Sequence, residues 1–248
     1  MKLGKLPARE HAIQFKFGSY FDKSKLPTPP AYFGHHDLVK QWGMLANDRV
    51  ACCVFAGAGH STMMWRAEGG TPVAFDDASV LKSYSELTGF DPSNPASDQG
   101  SDMEDAAAYR RKTGILDADG QRHTIDSYVA LARGDVDEII LATYLFGASG
   151  AGINLPSTAE QQFDAGQVWD VVPHARDRGG HYVPIVGVQR DTGNLLCVTW
   201  GRLHPMTRAF YKFYSDEAVA YVSTDPLKDN RSPEGFDIDA LRSDLQAL

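Results

Sequence analysis

The chain has 248 residues, 43% of them hydrophobic, enough to fill the core of one large domain or two half-sized lobes. Its net charge of −8 and pI near 5.4 argue against a phosphate-binding face, and so against a nucleic-acid partner. No apolar run approaches the roughly 20 residues that cross a bilayer, the lysine-bearing N-terminus lacks the apolar segment of a secretory signal, and three cysteines make no even disulfide framework.

Residues 1–34 include LPTPPAYFG, whose prolines deny helix, and this segment is expected to be an extended arm lying over a body that spans 35–248. From His35 to Trp65 the pattern turns helical, first over HHDLVKQWGML and then, after Asn47 and Asp48, over VACCVFAGAGHSTMMW. The second stretch has no charge from Val50 to Trp65 and reads as a buried central helix. A third helix is expected at DDASVLKSYSELTG, with Asp76 or Asp77 near its start and Gly89 past its end. After the turn-rich FDPSNPASDQGSD, the run MEDAAAYRRKTG reads as a helix closed by Gly114. QRHTIDSYVAL then reads as a strand and DVDEIILATYLFG as an acid-capped amphipathic helix. GASGAGINL, HYVPIVGVQ, NLLCVTWG and AVAYVS are short strand candidates. Helices first and strands afterwards is the order of an α+β protein, with a helical lobe over about 35–120, a sheet lobe over about 121–225 and a tail at 226–248.

A cysteine becomes a nucleophile where a helix N-terminus and a neighbouring imidazole favour its thiolate. Cys53 follows the turn-prone Asn47-Asp48 and opens the uncharged helix, while Cys52 beside it points about 100° away and is expected to pack. His181 begins a strand after Gly179 and Gly180, which permit close backbone approach and place the ring beside a cleft. His60 and Cys197 read as core residues, and neither H-E-x-x-H nor C-x-x-C occurs, so no metal or other cofactor is expected.

The ordered set resembles the papain-like cysteine peptidases, from about Leu26 to Tyr221. Asn47 lies six residues before Cys53, where that family places a Gln of its oxyanion hole; Asn offers the same amide on a shorter arm. SDQGSDMEDAAAYRRKTGI resembles the family's substrate-pairing glycine and its following helix, which assigns the pairing role to Gly100 with Gln99 beside it. GGHYVPIVGV is similar to the family's His motif, and VTWG to its Asn-Ser-Trp-Gly, which implies Gly180 and Trp200 at the substrate site. The family's ring-orienting Asn maps onto Val198, which has no polar side-chain atom, and Thr199 is the nearest substitute.

What the resemblance implies is a helical N-terminal lobe with a central Cys-bearing helix, an antiparallel C-terminal sheet, and a thiol hydrolase acting on a polypeptide through Cys53 and His181. The texture is closest to phage- and prophage-encoded members. That leaves a second implied role, a degenerate structural or binding protein such as a virion or assembly component. The compartment implied is a bacterial host cytoplasm or a virion.

Overall fold

A computed structural model describes residues 1–9, 13, 16–20 and 26–225, so the tail at 226–248 falls outside the described part. A single helical turn, α1 (Phe17–Tyr20), precedes the uncharged run, which forms α2 (Cys53–Glu68) and is buried along nearly its whole length. Helix α3 (Asp77–Thr88) starts at a capping box, in which the Asp76 carboxylate accepts the Ser79 N–H and the Ser79 hydroxyl accepts the Asp76 N–H, and Gly89 ends it at φ 73°. Asp102 caps α4 (Met103–Lys112) by accepting the Glu104 and Asp105 amides, and Asp135 caps α5 (Val136–Phe146) by accepting the Glu138 amide.

Between α4 and α5 lie β1 (Ile115–Leu116), β2 (Arg122–His123) and β3 (Ser127–Leu131). After α5 come β4 (Ser149–Pro156), α6 (Ser157–Asp164), β5 (Asp177–Val188), β6 (Leu195–Thr199), β7 (Arg202–Met206), α7 (Arg208–Tyr214) and β8 (Ser215–Val222). Six strands form one sheet in the order β3-β8-β4-β5-β6-β7, antiparallel throughout, while β1 and β2 pair separately. The sheet carries a hydrophobic cluster on each face. Leu195 and Cys197 of β6 pack with Val183 and Ile185 and with α5 and α7, whereas Leu196 and Val198 pack with Tyr182 and with α2, α3 and α4.

The α+β order of helices then strands therefore holds, but the helix expected over HHDLVKQWGML does not form. Only His36–Leu38 makes a 3-10 turn, because Gly43 (φ 74°), Leu45 (54°) and Ala46 (61°) adopt left-handed backbone that unwinds any helix. The unwound loop lets Trp42 lie edge-on to His60, whose Nε2 stands 3.0 Å from the Gly43 carbonyl. QRHTIDSYVAL splits in two, β2 pairing with β1 and β3 with β8. Helices α6 and α7 and strand β7 had no counterpart in the sequence reading. Pro205 lowers the strand propensity of β7, yet an edge strand tolerates it because a missing N–H there breaks no ladder bond.

His60 and His204 are buried, and burial lowers both imidazoles to about 4. Unfolding restores the ordinary value of roughly 6.5, so the unfolded chain takes up protons as pH falls from about 6.5 towards 4 and the fold loses stability in that window. Each histidine removes at most about 1.4 kcal/mol per pH unit. Urea-unfolding midpoints are expected to fall between pH 7 and 5, less steeply in His60→Gln; a flat parental profile would contradict the assignment.

Candidate active site

Cys53 is the first residue of α2 and Cys52 its N-cap. The Cys53 side chain is buried, and the backbone amides of Tyr182, Gly4 and Val54 point at its sulfur. Burial pushes the thiol up, and the three amides and the Lys5 charge only partly oppose this. The expectation of a thiolate favoured by a helix end is thus not met in this state, since the sulfur is sealed from water. Cys52 donates its thiol to the Leu45 carbonyl at 3.5 Å and Cys197 to the His204 carbonyl at 3.2 Å, and burial raises both.

Strand β5 brings Tyr182, the residue after His181, onto Cys53. At Gly57, one turn into α2, an added Cβ would lie under 3.0 Å from the Tyr182 ring, so this close seating needs a glycine. His181 and Thr199 lie on the face of the sheet shared by Val183, Ile185 and Cys197, and His181 Nε2 stands 2.9 Å from Thr199 Oγ1. Val198 points to the opposite face and packs against the α2 cluster. Trp200, at φ 44°, turns its ring flat over His181 (5.0 Å between centroids, 26° between planes), and Trp169 meets the ring edge-on at 6.4 Å. Nδ1 of His181 is buried and has no hydrogen-bond partner among the described residues. Burial lowers this imidazole to about 3.

The space in front of these groups is filled by the chain itself. Lys5 N–H donates to the Gly180 carbonyl (3.1 Å), Leu6 N–H to the Ser101 carbonyl (3.0 Å), and Ser101 N–H to the Gly4 carbonyl (2.8 Å). Lys5 thereby bridges two walls, antiparallel to Gly180 and parallel to Ser101. The fit is close: a Cβ on Gly4 would lie well under 3.0 Å from the Ala51 carbonyl, and one on Gly100 or Gly180 equally close to the Gly4 or Lys5 oxygen.

Of the residues singled out in the sequence, Cys53, Gly100 and Gly180 meet Gly4 or Lys5 of the N-terminal segment, while His181, Thr199 and Trp200 form a second group joined to the first through Gly180 and Tyr182. Gly100 supplies the room, while its own N–H donates to the Tyr84 hydroxyl (2.9 Å) and Ser101 makes the strand-like bonds. Asn47 is buried, its amide donating to the Val50 carbonyl at 3.5 Å. Gln99 is not turned to the cleft; its amide bonds the Ala96 carbonyl at 2.6 Å. Gly4, Lys5 and Trp169 escaped the sequence reading. The only local signal for the first two was a lone glycine between long side chains in KLGKLP.

No protein-family profile matches the sequence, and no curated protein matches it. Solved structures do. Xylellain, a cysteine protease from Xylella fastidiosa, is similar at a TM-score of 0.67 and 13% identity, over 89% of this chain and 96% of that one. A procathepsin B from Trypanosoma congolense is similar at 0.60 and 12% identity, over 89% and 86%. Procathepsin L 3 of Tenebrio molitor is similar at 0.56 and 18% identity, over 82% and 72%. The chain has the papain-like α+β fold.

Because only main-chain atoms of Ala51 face Gly4, they cannot move aside for a methyl group. Gly4→Ala is expected to unseat the N-terminal strand and to speed iodoacetamide labelling of Cys53 by about 10-fold or more, equivalent to ~1.4 kcal/mol of opening. Cys52 and Cys197 are expected to stay protected, as peptide mapping of the labelled protein would report. Equal labelling of all three would mean global unfolding instead.

Proposed function

We propose that the chain is a latent thiol hydrolase of peptide or isopeptide bonds, with Cys53 as nucleophile and His181 as base. The observation that carries this reading is the state of the His181 ring: bonded at Nε2 to Thr199, covered by Trp200, left with an unpartnered Nδ1, and followed directly by Tyr182, whose amide points at the Cys53 sulfur. A ring held this way has one nitrogen assigned to orientation and the other available for a proton.

In the proposed mechanism the N-terminal strand leaves, water and substrate enter, and Nδ1 takes the Cys53 proton while the sulfur attacks the carbonyl. The Cys53 backbone N–H and the Asn47 amide, released from its weak bond to Val50, hold the oxyanion. His181 returns the proton to the leaving amine as the C–N bond breaks, and water then hydrolyses the thioester with His181 again as base. Thr199 Oγ1 accepts the Nε2–H bond throughout, a weaker hold on the imidazolium than a carboxylate gives.

Sealing supports latency. A buried imidazole and a buried thiol both favour their neutral forms, so the closed cleft stores the pair uncharged. Since His181 rises from about 3 towards roughly 6.5 when exposed, closure becomes less favourable as pH falls below about 6.5. The same sealing also favours a second reading, a catalytically silent module whose cleft is occupied for good.

The two readings part on the full-length Gly4→Ala protein. With fluorescein-labelled casein as substrate, the hydrolase reading expects turnover that Cys53→Ala abolishes. Thr199→Val is expected to lose about 10-fold in kcat/KM, roughly 1.4 kcal/mol of transition-state stabilisation. Val198→Asn is expected to gain no activity and to lose about 1–3 kcal/mol of stability, since it puts an amide into an apolar cluster. No turnover, together with no labelling of Cys53 by a peptidyl epoxide, would decide for the silent module.

A further inference from the structure

The side chain of Lys5 does more than follow its backbone into the cleft. It is fully buried, with Nζ 2.6 Å from Asp216 Oδ2, 2.8 Å from Glu217 Oε1 and 2.8 Å from the Leu6 carbonyl. Asp216 and Glu217 are neighbours in β8, and neighbours in a regular strand face opposite sides of the sheet. Here the register slips. Gly152 pairs with Glu217 but Ile153 with Ser215, which leaves Asp216 as the extra residue of a β-bulge and lets both carboxylates converge on one ammonium. Gly152 makes the room for the stem, because a Cβ there would lie under 3.0 Å from Lys5 Cε, Asp216 Oδ1 and Glu217 Cγ.

A buried ammonium between two carboxylates is a poor way merely to hold a strand in place, since desolvating three charges offsets much of their attraction. Once the strand leaves, the two carboxylates remain in a narrow slot. The Asp216 side chain is 8% exposed, and its Oδ1 has no hydrogen-bond partner among the described residues even with Lys5 in place. That is one acceptor more than an ammonium uses and one that a guanidinium could take. A cavity of about 760 Å³, lined in part by Arg9, Lys16, Asn154, Asp216 and Glu217, adjoins the slot and gives a longer side chain somewhere to extend.

We infer that Asp216 and Glu217, over Gly152, form a specificity pocket for a basic substrate side chain, arginine or lysine, and that Lys5 is its intramolecular occupant. This rests on the hydrolase reading for its meaning, but the binding arm of its test does not. In the full-length Lys5→Met protein, peptidyl coumarylamides carrying Arg, norleucine or Glu at the first or second residue before the scissile amide are compared by kcat/KM. Arginine at one of these positions is expected to exceed norleucine by about 10-fold or more, with glutamate slowest, since a cation in the slot meets two partly buried carboxylates.

Asp216→Asn with Glu217→Gln in the same background is expected to collapse that difference. Hydrolysis without an arginine preference, or a preference that survives loss of both carboxylates, would overturn the pocket. Full-length Gly4→Ala, with Asp216→Asn as its partner variant, repeats the comparison should Lys5→Met fail to fold.

Binding separates the two readings. On full-length Lys5→Met/Cys53→Ala, fluorescein-labelled Leu-Gly-Arg-Leu is expected to bind at least about 10-fold more tightly than its norleucine counterpart by polarisation, ~1.4 kcal/mol. Arginine-selective binding in a protein with no turnover would retire the hydrolase and keep the pocket. Unselective or absent binding would retire the pocket whatever the turnover.

Discussion

Helix α2 lies so close to β5 that at Gly57 no side chain larger than hydrogen fits against the Tyr182 ring. That contact fixes where the first turn of the helix meets the strand, and hence where Cys53 stands relative to the residues around His181. The helix can be pressed there because it carries no charge from Val50 to Trp65 and therefore asks for no solvent along its length. A polar face on α2 would have held the helix off the sheet and opened the junction at which the sulfur sits.

The N-terminal strand closes that junction from the other side. Its backbone makes three hydrogen bonds to Gly180 and Ser101, reached only because Gly4, Gly100 and Gly180 lack side chains, and flanking ion pairs join Lys2 to Asp98 and Arg9 to Asp102, Glu104 and Asp105. Hydrogen bonds of this kind contribute about 0.5–1.5 kcal/mol each, a range in which occupancy is reversible. The charged anchor at Lys5 adds selectivity for this particular segment more than strength, because desolvation offsets much of its Coulomb attraction. Closure also changes the chemistry of what it covers, holding a thiol and an imidazole in their neutral forms.

Much of this was legible in the sequence where local rules govern. Asp76 or Asp77 with Gly89, the closing Gly114 and the acidic start of DVDEIILATYLFG marked three helices, and short strand-forming runs marked β4, β5, β6 and β8. Cys53 at a helix start and His181 after two glycines were legible for the same reason. The side-chain partner of His181 was only half legible: alignment pointed to position 198, but which of two adjacent residues faces the ring depends on the pairing of β6 with its neighbours, and the parity of the face selects Thr199. The loop over 39–45 was misread as helix because hydrophobic spacing does not reveal left-handed backbone at Gly43 and Leu45. The seat of Gly4 and Lys5 is a contact between sequence-distant segments, and no local pattern carries it.

The bulge at Asp216 has a consequence for how such a chain can diverge. Deleting a residue inside a strand ordinarily turns every later side chain to the wrong face and is lethal to the fold. In β8 the surplus residue lies at the slip between Gly152 and Ile153, so its loss would restore an even ladder with β4 and leave Ala218, Val219 and Ala220 in their present places. A single in-frame codon deletion would thus remove one of the two carboxylates while sparing the core. Charge at this position is therefore open to change by insertion and deletion as well as by point substitution, a route closed to most of the sheet.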